Sequence, residues 1–418
     1  MKTAFARKTL LRMLQGLRFG GLEIIEGRET WRFGDTECEL QATIVVHNER
    51  FFARALFGGQ EGAGDAYMDG DWSSPDTVAV IRVAVRNLER LESGGAALNW
   101  ISRLANRLRH RSRANSIEGS RRNIGEHYDL SNEFFRLFLD RNMVYSSGIF
   151  KTAESSLDDA QVEKIDRMCR KLQLEPGDRV LEIGTGWGAF ALHAARFYGC
   201  DVTTTTISRQ QYEGAAERFS LAGDAERRIH LLLEDYRNLT GCFDKIVSIE
   251  MFEAVGLAHY DDFFGACDRL LAPDGALAMQ TITMNEHTFD SYRKSSDWIQ
   301  KRIFPGAELA SVRHILDSLV RSTRMSLFHL EDIGMHYAYT LAEWRRRVNA
   351  RVDEVRGLGF DENFLRMWDY YLAYCEGAFR ERHIGNVQLV LVKNGNPRGL
   401  MGEPFGRSGV EDLVAREG

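Results

Sequence analysis

The 418 residues carry 54 basic against 60 acidic side chains, a formal charge of −6, with 44% hydrophobic and 27% charged residues. That composition is globular and long enough for two or three domains; it excludes disordered and fibrous classes and any bulk electrostatic case for nucleic acid. Six scattered cysteines without a CxxC pair point to reduced thiols rather than a disulfide frame or a zinc site, and no apolar run nears the ~20 residues of a membrane span.

Along the chain, residues 1–20 read as a basic amphipathic helix. Phe5, Leu10, Leu11, Leu14 and Leu17 fall near one face, and Lys2, Arg7, Lys8, Arg12 and Arg18 supply charge. Such a helix either packs on its own domain or rests on anionic lipid; it lacks the apolar core and cleavage site of a secretory signal. From 21 to 60, "GLEIIEG", "ETWRFGD", "LQATIVVH" and "RFFARALFGG" alternate as strands do and predict a small antiparallel sheet. "GDAYMDGDWSSPD" (64–76) reads as turns and "TVAVIRVAVRNLERL" (77–91) as helix. Residues 96–125 form a basic connector with seven arginines between 101 and 123, either a solvated linker or a surface for phosphate headgroups. From 126 to 395 strands and helices alternate, which predicts a parallel, doubly wound sheet; 396–418 read as a tail.

"RVLEIGTGWGAF" (179–190) runs an apolar strand into Gly184, Gly186 and Gly188, and then a helix. Glycines there permit a tight turn and close approach of a ligand to the backbone. The GxGxG spacing departs from the dinucleotide GxGxxG, and no GK[ST] follows for a P-loop. S-adenosylmethionine (SAM) is the class that remains. A nucleoside held in this crevice meets the ends of the next two strands. Those ends carry "TISRQQ" (206–211) and "LEDYRNL" (233–239), where Glu234 and Asp235 are candidates to accept the adenine amino group.

"HYDLSNEFFRLFLDRNMVYSSGIF", "VLEIGTGWG", "TISRQQ", "EDYRN", "VSIEMFEAVG", "IQKRIFPG" and "YYLAYCEGAFR" occur in order between about 120 and 395. Together they resemble the cyclopropane-fatty-acid synthase family, which includes the mycolic acid cyclopropane synthases and methyltransferases. More loosely, the segment ending in "DAYMDGDW" resembles that family's N-terminal lipid-binding domain. The resemblance implies a SAM-dependent, Rossmann-like methyltransferase sheet with helical lid insertions and an acyl-chain tunnel, plus a smaller N-terminal α+β domain over 1–95. It implies methyl transfer from SAM to a cis double bond of an acyl chain in a phospholipid, followed by proton loss that closes a three-membered ring.

The chemistry needs an apolar, closed site, because attack by an alkene leaves positive charge on carbon, and then a base. The resemblance implies a bound bicarbonate for that base, held by Cys, Glu, His and Tyr. The glutamate corresponds to Glu253 and the tyrosine to Tyr337. The cysteine's position holds Ser147, the histidine of "HTI" is Gln280, and the histidine after the glutamate is Ala254. Serine and glutamine still hydrogen-bond, but a titratable imidazole is absent, so Glu253 serves either a retained bicarbonate or an equivalent base role. For SAM the family pattern implicates Tyr128, Tyr145, Ser146, Gly184, Gly186, Gly188, Thr206, Ile207, Gln211, Glu234 and Asp235, with aromatic faces suited to a sulfonium. Trp298, Ile299, Ile303 and Phe304 read as a lid or tunnel wall. His287, His314 and His383 lack the spacing of a metal site.

The expected protein is therefore a cytoplasmic enzyme on the inner face of the membrane. Its partners are unsaturated phospholipid acyl chains and a membrane surface, with a homodimer also expected and no nucleic acid. A methyl- or methylene-branched product and methylation of a small amine are the alternatives, together with a decayed, non-catalytic binding protein.

Overall fold

The computed structural model describes residues 2–94, 130–293 and 297–396. The basic connector, Tyr128 and residues 397–418 lie outside the described residues. The chain clusters into two compact units, both discontinuous in sequence. One gathers the described part of Met1–Arg113 with Asp290–Pro305 and Leu341–Ile384. The other holds the described parts of Ala114–Phe289 and Gly385–Gly418 with Gly306–Thr340. Residues 290–305 and 341–384, which sequence places inside the second domain, thus cluster with the first.

In the first unit, strands β1 (Gly21–Glu26), β2 (Glu29–Gly34), β3 (Gln41–Val46) and β4 (Trp72–Ser73) form a sheet of order β2-β1-β3-β4. It is mixed, not antiparallel throughout: β1 pairs antiparallel with β2 but parallel with β3. "RFFARALFGG" is helical, not a strand; it opens the helix Arg50–Met68, whose buried Phe51, Phe52 and Leu56 recur on a helical face. The end of the same helix takes up the start of the 64–76 stretch read as turns. The first helix, Lys2–Leu14, forms as predicted, but its buried face is set by Ala6 and Leu14, and Phe5 stands 59% exposed. Helix Thr77–Arg86 is capped by the Asp76 side chain, which accepts from the Ala79 N–H, and buries Val78, Ile81 and Val83. It packs on helix Glu362–Arg380, where Gly377 leaves room: a Cβ there would lie 2.7 Å from Ile81 Cγ2. Trp298 is buried in this unit, edge-on to Tyr370 and donating to Asp65 Oδ1 at 3.2 Å.

Among the described residues, the second unit carries a seven-stranded sheet in the order β10-β11-β9-β8-β5-β6-β7. They are β5 (Arg179–Ile183), β6 (Asp201–Thr206), β7 (Ile229–Leu233), β8 (Phe243–Ile249), β9 (Leu271–Met284), β10 (Met325–Asp332) and β11 (Ile384–Lys393). The block from β9 to β7 is parallel, as the alternation of strands and helices predicts, while β10 and β11 form an antiparallel pair. The period of two is visible in β5: Leu181 and Ile183 join one apolar layer, Val180 the other. The chain leaves β5 through β6 and β7, then returns to β8 on the opposite flank. Ligands bind at such a reversal, outside the carboxyl ends of the strands. The glycine loop follows β5 at that point.

Candidate active site

All three loop glycines have positive φ: 103° at Gly184, 53° at Gly186 and 84° at Gly188. Their surroundings differ. A Cβ on Gly188 would come within 2.5 Å of Phe219, and one on Gly184 within 3.1 Å of Met251; at Gly186 it would meet nothing within 4 Å. Gly184 and Gly188 thus serve packing, whereas the backbone at Gly186 faces open space that fits a ligand. Below the loop, the Gly184 and Thr185 N–H groups both donate to Thr205 O at 3.0 Å. Thr185 Oγ1 bonds Thr204 Oγ1 at 2.7 Å, and Thr204 donates to Glu182 at 2.6 Å. Burial pushes that carboxyl up to about 8.

An aromatic rim stands beside the loop. Phe135 lies 5.2 Å from both Tyr145 and Trp187, and Phe138 lies 6.3 Å from Tyr145. Ser146 is buried, its hydroxyl accepting from Lys164 Nζ at 2.6 Å. Lys164 is itself buried, which pushes its ammonium down to about 8. At the end of β6, Thr206 donates to Gln211 Oε1 at 2.9 Å, and half-buried Ile207 follows. At the end of β7, Glu234 Oε1 accepts from the Asp235 N–H and from Asn238. Both Asp235 oxygens are clasped by Arg237, at 2.8 and 2.7 Å. Of the sequence-predicted cofactor residues, the three glycines, Thr206, Ile207, Gln211, Glu234 and Asp235 follow β5, β6 and β7 at the carboxyl edge of one sheet, Tyr145 and Ser146 lie in the segment before helix Leu157–Leu172, and Tyr128 is outside the described residues.

The predicted catalytic residues centre on the segment after β8, which abuts the glycine loop through Met251. Glu253 is buried; its Oε1 accepts from the Thr281 hydroxyl at 3.0 Å and the Ile282 N–H at 2.5 Å, while its Oε2 is buried without a hydrogen-bond partner. Burial, reinforced by the neighbouring Glu250 charge, pushes this carboxyl up to about 7. Tyr337 is buried on helix Gly334–Ala350, which is tied to the Ser147 segment where Thr340 accepts from the Gly148 N–H and His336 from the Phe150 N–H.

Ser147 and Gln280 converge on a residue that the sequence does not single out. Glu250 Oε1 accepts from the Ser147 N–H at 3.0 Å, from Gln280 Nε2 at 2.7 Å and from Asn386 Nδ2 at 2.6 Å. The Ser147 hydroxyl turns away, donating to Gly148 O. Gln280 is oriented from behind: its Oε1 accepts from Gln388, whose own oxygen accepts from Lys171. Glu250 holds φ of +48°, a left-handed backbone rare outside glycine. The polar Asn386 and Gln388 in the apolar run "IGNVQLVLV" were the readable signal for this network. Among the described residues, no group of three His, Cys, Asp or Glu side chains is arranged to hold a metal.

The profile of the mycolic acid cyclopropane synthetase family matches residues 115–389. The chain is 37% identical over 363 residues to the tuberculostearic acid methyltransferase of Mycobacterium tuberculosis, covering 85% of this chain and 84% of that one. It is 38% identical over 367 residues to the cyclopropane-fatty-acyl-phospholipid synthase of Escherichia coli K12, covering 85% and 89%. A solved mycolic acid cyclopropane synthase complexed with SAH and CTAB superposes with a TM-score of 0.61 at 31% identity, over 65% of this chain and 98% of that one. With its glycine loop at the sheet's switch point and a buried glutamate beside it, the chain belongs to the cyclopropane-fatty-acid synthase family and is a SAM-dependent methyltransferase.

Proposed function

We propose that the protein adds the methyl carbon of SAM to the cis double bond of an unsaturated acyl chain carried by a phospholipid, and closes it to a cyclopropane. The observation that carries this reading is Glu253: a buried carboxylate, raised to about 7, with one oxygen unpartnered, two residues from the side chain that touches the glycine loop. A base of that kind is poised for proton removal near neutral pH.

SAM, when bound over Gly186 and within reach of the Tyr145 rim, supplies an electrophilic methyl group. The alkene π pair would form the new carbon–carbon bond as the methyl–sulfur bond breaks and its pair stays on sulfur, which leaves as a neutral thioether, and the adjacent carbon would become cationic. Glu253 Oε2 takes a proton from the added methyl, and the released C–H pair closes the ring. Thr281 and Ile282 hold Oε1, so the other oxygen alone is left to receive the proton. If a hydride shift precedes proton loss, the same site yields a methylene branch. The comparable likeness to a tuberculostearic acid methyltransferase keeps that second product in view.

Cells expressing the protein, supplied with a methyl-deuterated SAM precursor and a cis-monounsaturated fatty acid, test the reading by mass spectrometry. Lipid gaining one CH₂ unit, losing the alkene and retaining two of three deuteriums supports cyclopropanation. The same gain with an alkene present supports the branch, and label confined to amines refutes both.

The rate should also rise with pH through about 7 and level off above it, because the base works only when deprotonated and Glu253 is held up near that value. A rate flat between pH 6 and 8 would remove Glu253 as the base.

The lipid partner is expected at the inner membrane face, reached through the first helix and the residues just after it. Phe5 is 59% exposed and Phe19 54%, with Lys8 and Arg12 also exposed. The double substitution Phe5→Ser with Phe19→Ser should weaken sedimentation with anionic vesicles, and binding of the unaltered protein should fall as salt screens the charge. Unchanged sedimentation of the variant would count against this surface.

A further inference from the structure

Bicarbonate does not fit the site as built. Ser147 and Gln280 stand at the positions that would hold the oxyanion, and both already donate to the Glu250 carboxylate, through the Ser147 N–H and the Gln280 amide. Asn386 adds a third donor to the same oxygen. An added anion would sit against a fixed carboxylate and compete for donors already engaged, an unfavourable like-charge contact in a partly buried place. The backbone cooperates: Glu250 takes a left-handed φ of +48°, and its N–H donates to Gln280 O at 2.8 Å. A non-glycine residue there is strained, as residues at functional positions often are.

We infer that the Glu250 carboxylate occupies, as a permanent part of the chain, the anionic position otherwise filled by bound bicarbonate, so that turnover needs no bicarbonate. The inference rests on the lipid-alkylating function proposed above. Of the two roles open to Glu253, it selects direct proton acceptance. Glu250 then provides the fixed negative charge facing the cationic acyl carbon and keeps Ser147, Gln280 and Asn386 in place. A preorganised charge of this kind stabilises a developing opposite charge without reorganisation.

The test uses the full chain with SAM and vesicles of a cis-monounsaturated phospholipid, in buffer stripped of carbon dioxide and then supplemented with bicarbonate. Wild-type turnover is expected to be the same in both. Glu250→Gly suits the left-handed backbone and empties the anionic position. It is expected to lose about 10²-fold or more in rate in stripped buffer and to regain rate on adding bicarbonate, with SAM binding retained throughout. Glu250→Gln fills the position without charge. It covers a failure of the glycine variant to fold, and should be slow with or without bicarbonate.

Wild-type turnover that stops in stripped buffer and returns with bicarbonate overturns the inference, leaving the lipid reaction intact. So does a Glu250→Gly protein that binds SAM but is either as fast as wild type or not restored at all. A wild type that labels no lipid in either buffer overturns the proposed function and this inference with it.

Discussion

Glu253→Gln is expected to lower turnover by about 10²–10⁴-fold, the range for removing a general base, while leaving SAM affinity close to wild type. The amide keeps the volume and can still accept from Thr281 and the Ile282 N–H. What it loses is the ability to take a proton on the second oxygen. The fold should not weaken, because the substitution removes an ionisable group whose buried charge is opposed by both desolvation and Glu250. Three readouts on one preparation are decisive: labelled product, SAM titration and thermal melting. Normal turnover would take Glu253 out of the mechanism. Lost SAM binding would move it from the chemistry to cofactor affinity.

The second large effect separates two glycines two residues apart. Gly188→Ala places a methyl 2.5 Å from the buried Phe219 ring, at φ of +84°. Left-handed strain of about 1–2 kcal/mol and overpacking of about 1–3 kcal/mol together predict a clear fall in melting temperature. Gly186→Ala carries the backbone strain but no clash, since nothing lies within 4 Å. Its methyl enters the space assigned to the ligand, so it should melt lower than wild type but clearly higher than Gly188→Ala, and lose about tenfold or more in SAM affinity, the equivalent of 1.4 kcal/mol. Equal damage to stability and binding in both variants would contradict the division of roles within the loop.

Much of this is legible in the sequence. The strand-to-glycine transition at 179–188 marks the switch point because an apolar strand and three closely spaced glycines have few other uses. Glu253 is identifiable from its motif, although its burial and unpartnered oxygen are not. The misreading at 50–59 has a local cause: Phe51, Phe52 and Phe57 have β-forming character, but Ala53, Ala55 and Leu56 favour a helix and the buried set recurs helically. Asp235 is itself, with Glu234, a predicted acceptor for the adenine amino group, yet Arg237, two residues on, engages both its oxygens. Glu250 was invisible for a different reason. Its importance comes from a left-handed backbone and from donors at 147, 280 and 386, which only the fold brings together.

The discontinuity of the first unit bears on how the chain is made. A ribosome delivers Thr77–Arg86 long before Glu362–Arg380, the helix that covers its apolar face. During that interval Val83 can already rest near Gly20, but the face around Ile81 lacks the cover that Gly377 and its helix bring, while the strands of the second unit emerge in between. The nascent N-terminal portion must therefore wait, exposed or shielded by chaperones, for the last helix to arrive. Cutting the gene after residue 94 would isolate a fragment that lacks its own closing helix, so an independent N-terminal module has to be built by joining the distant segments rather than by truncation.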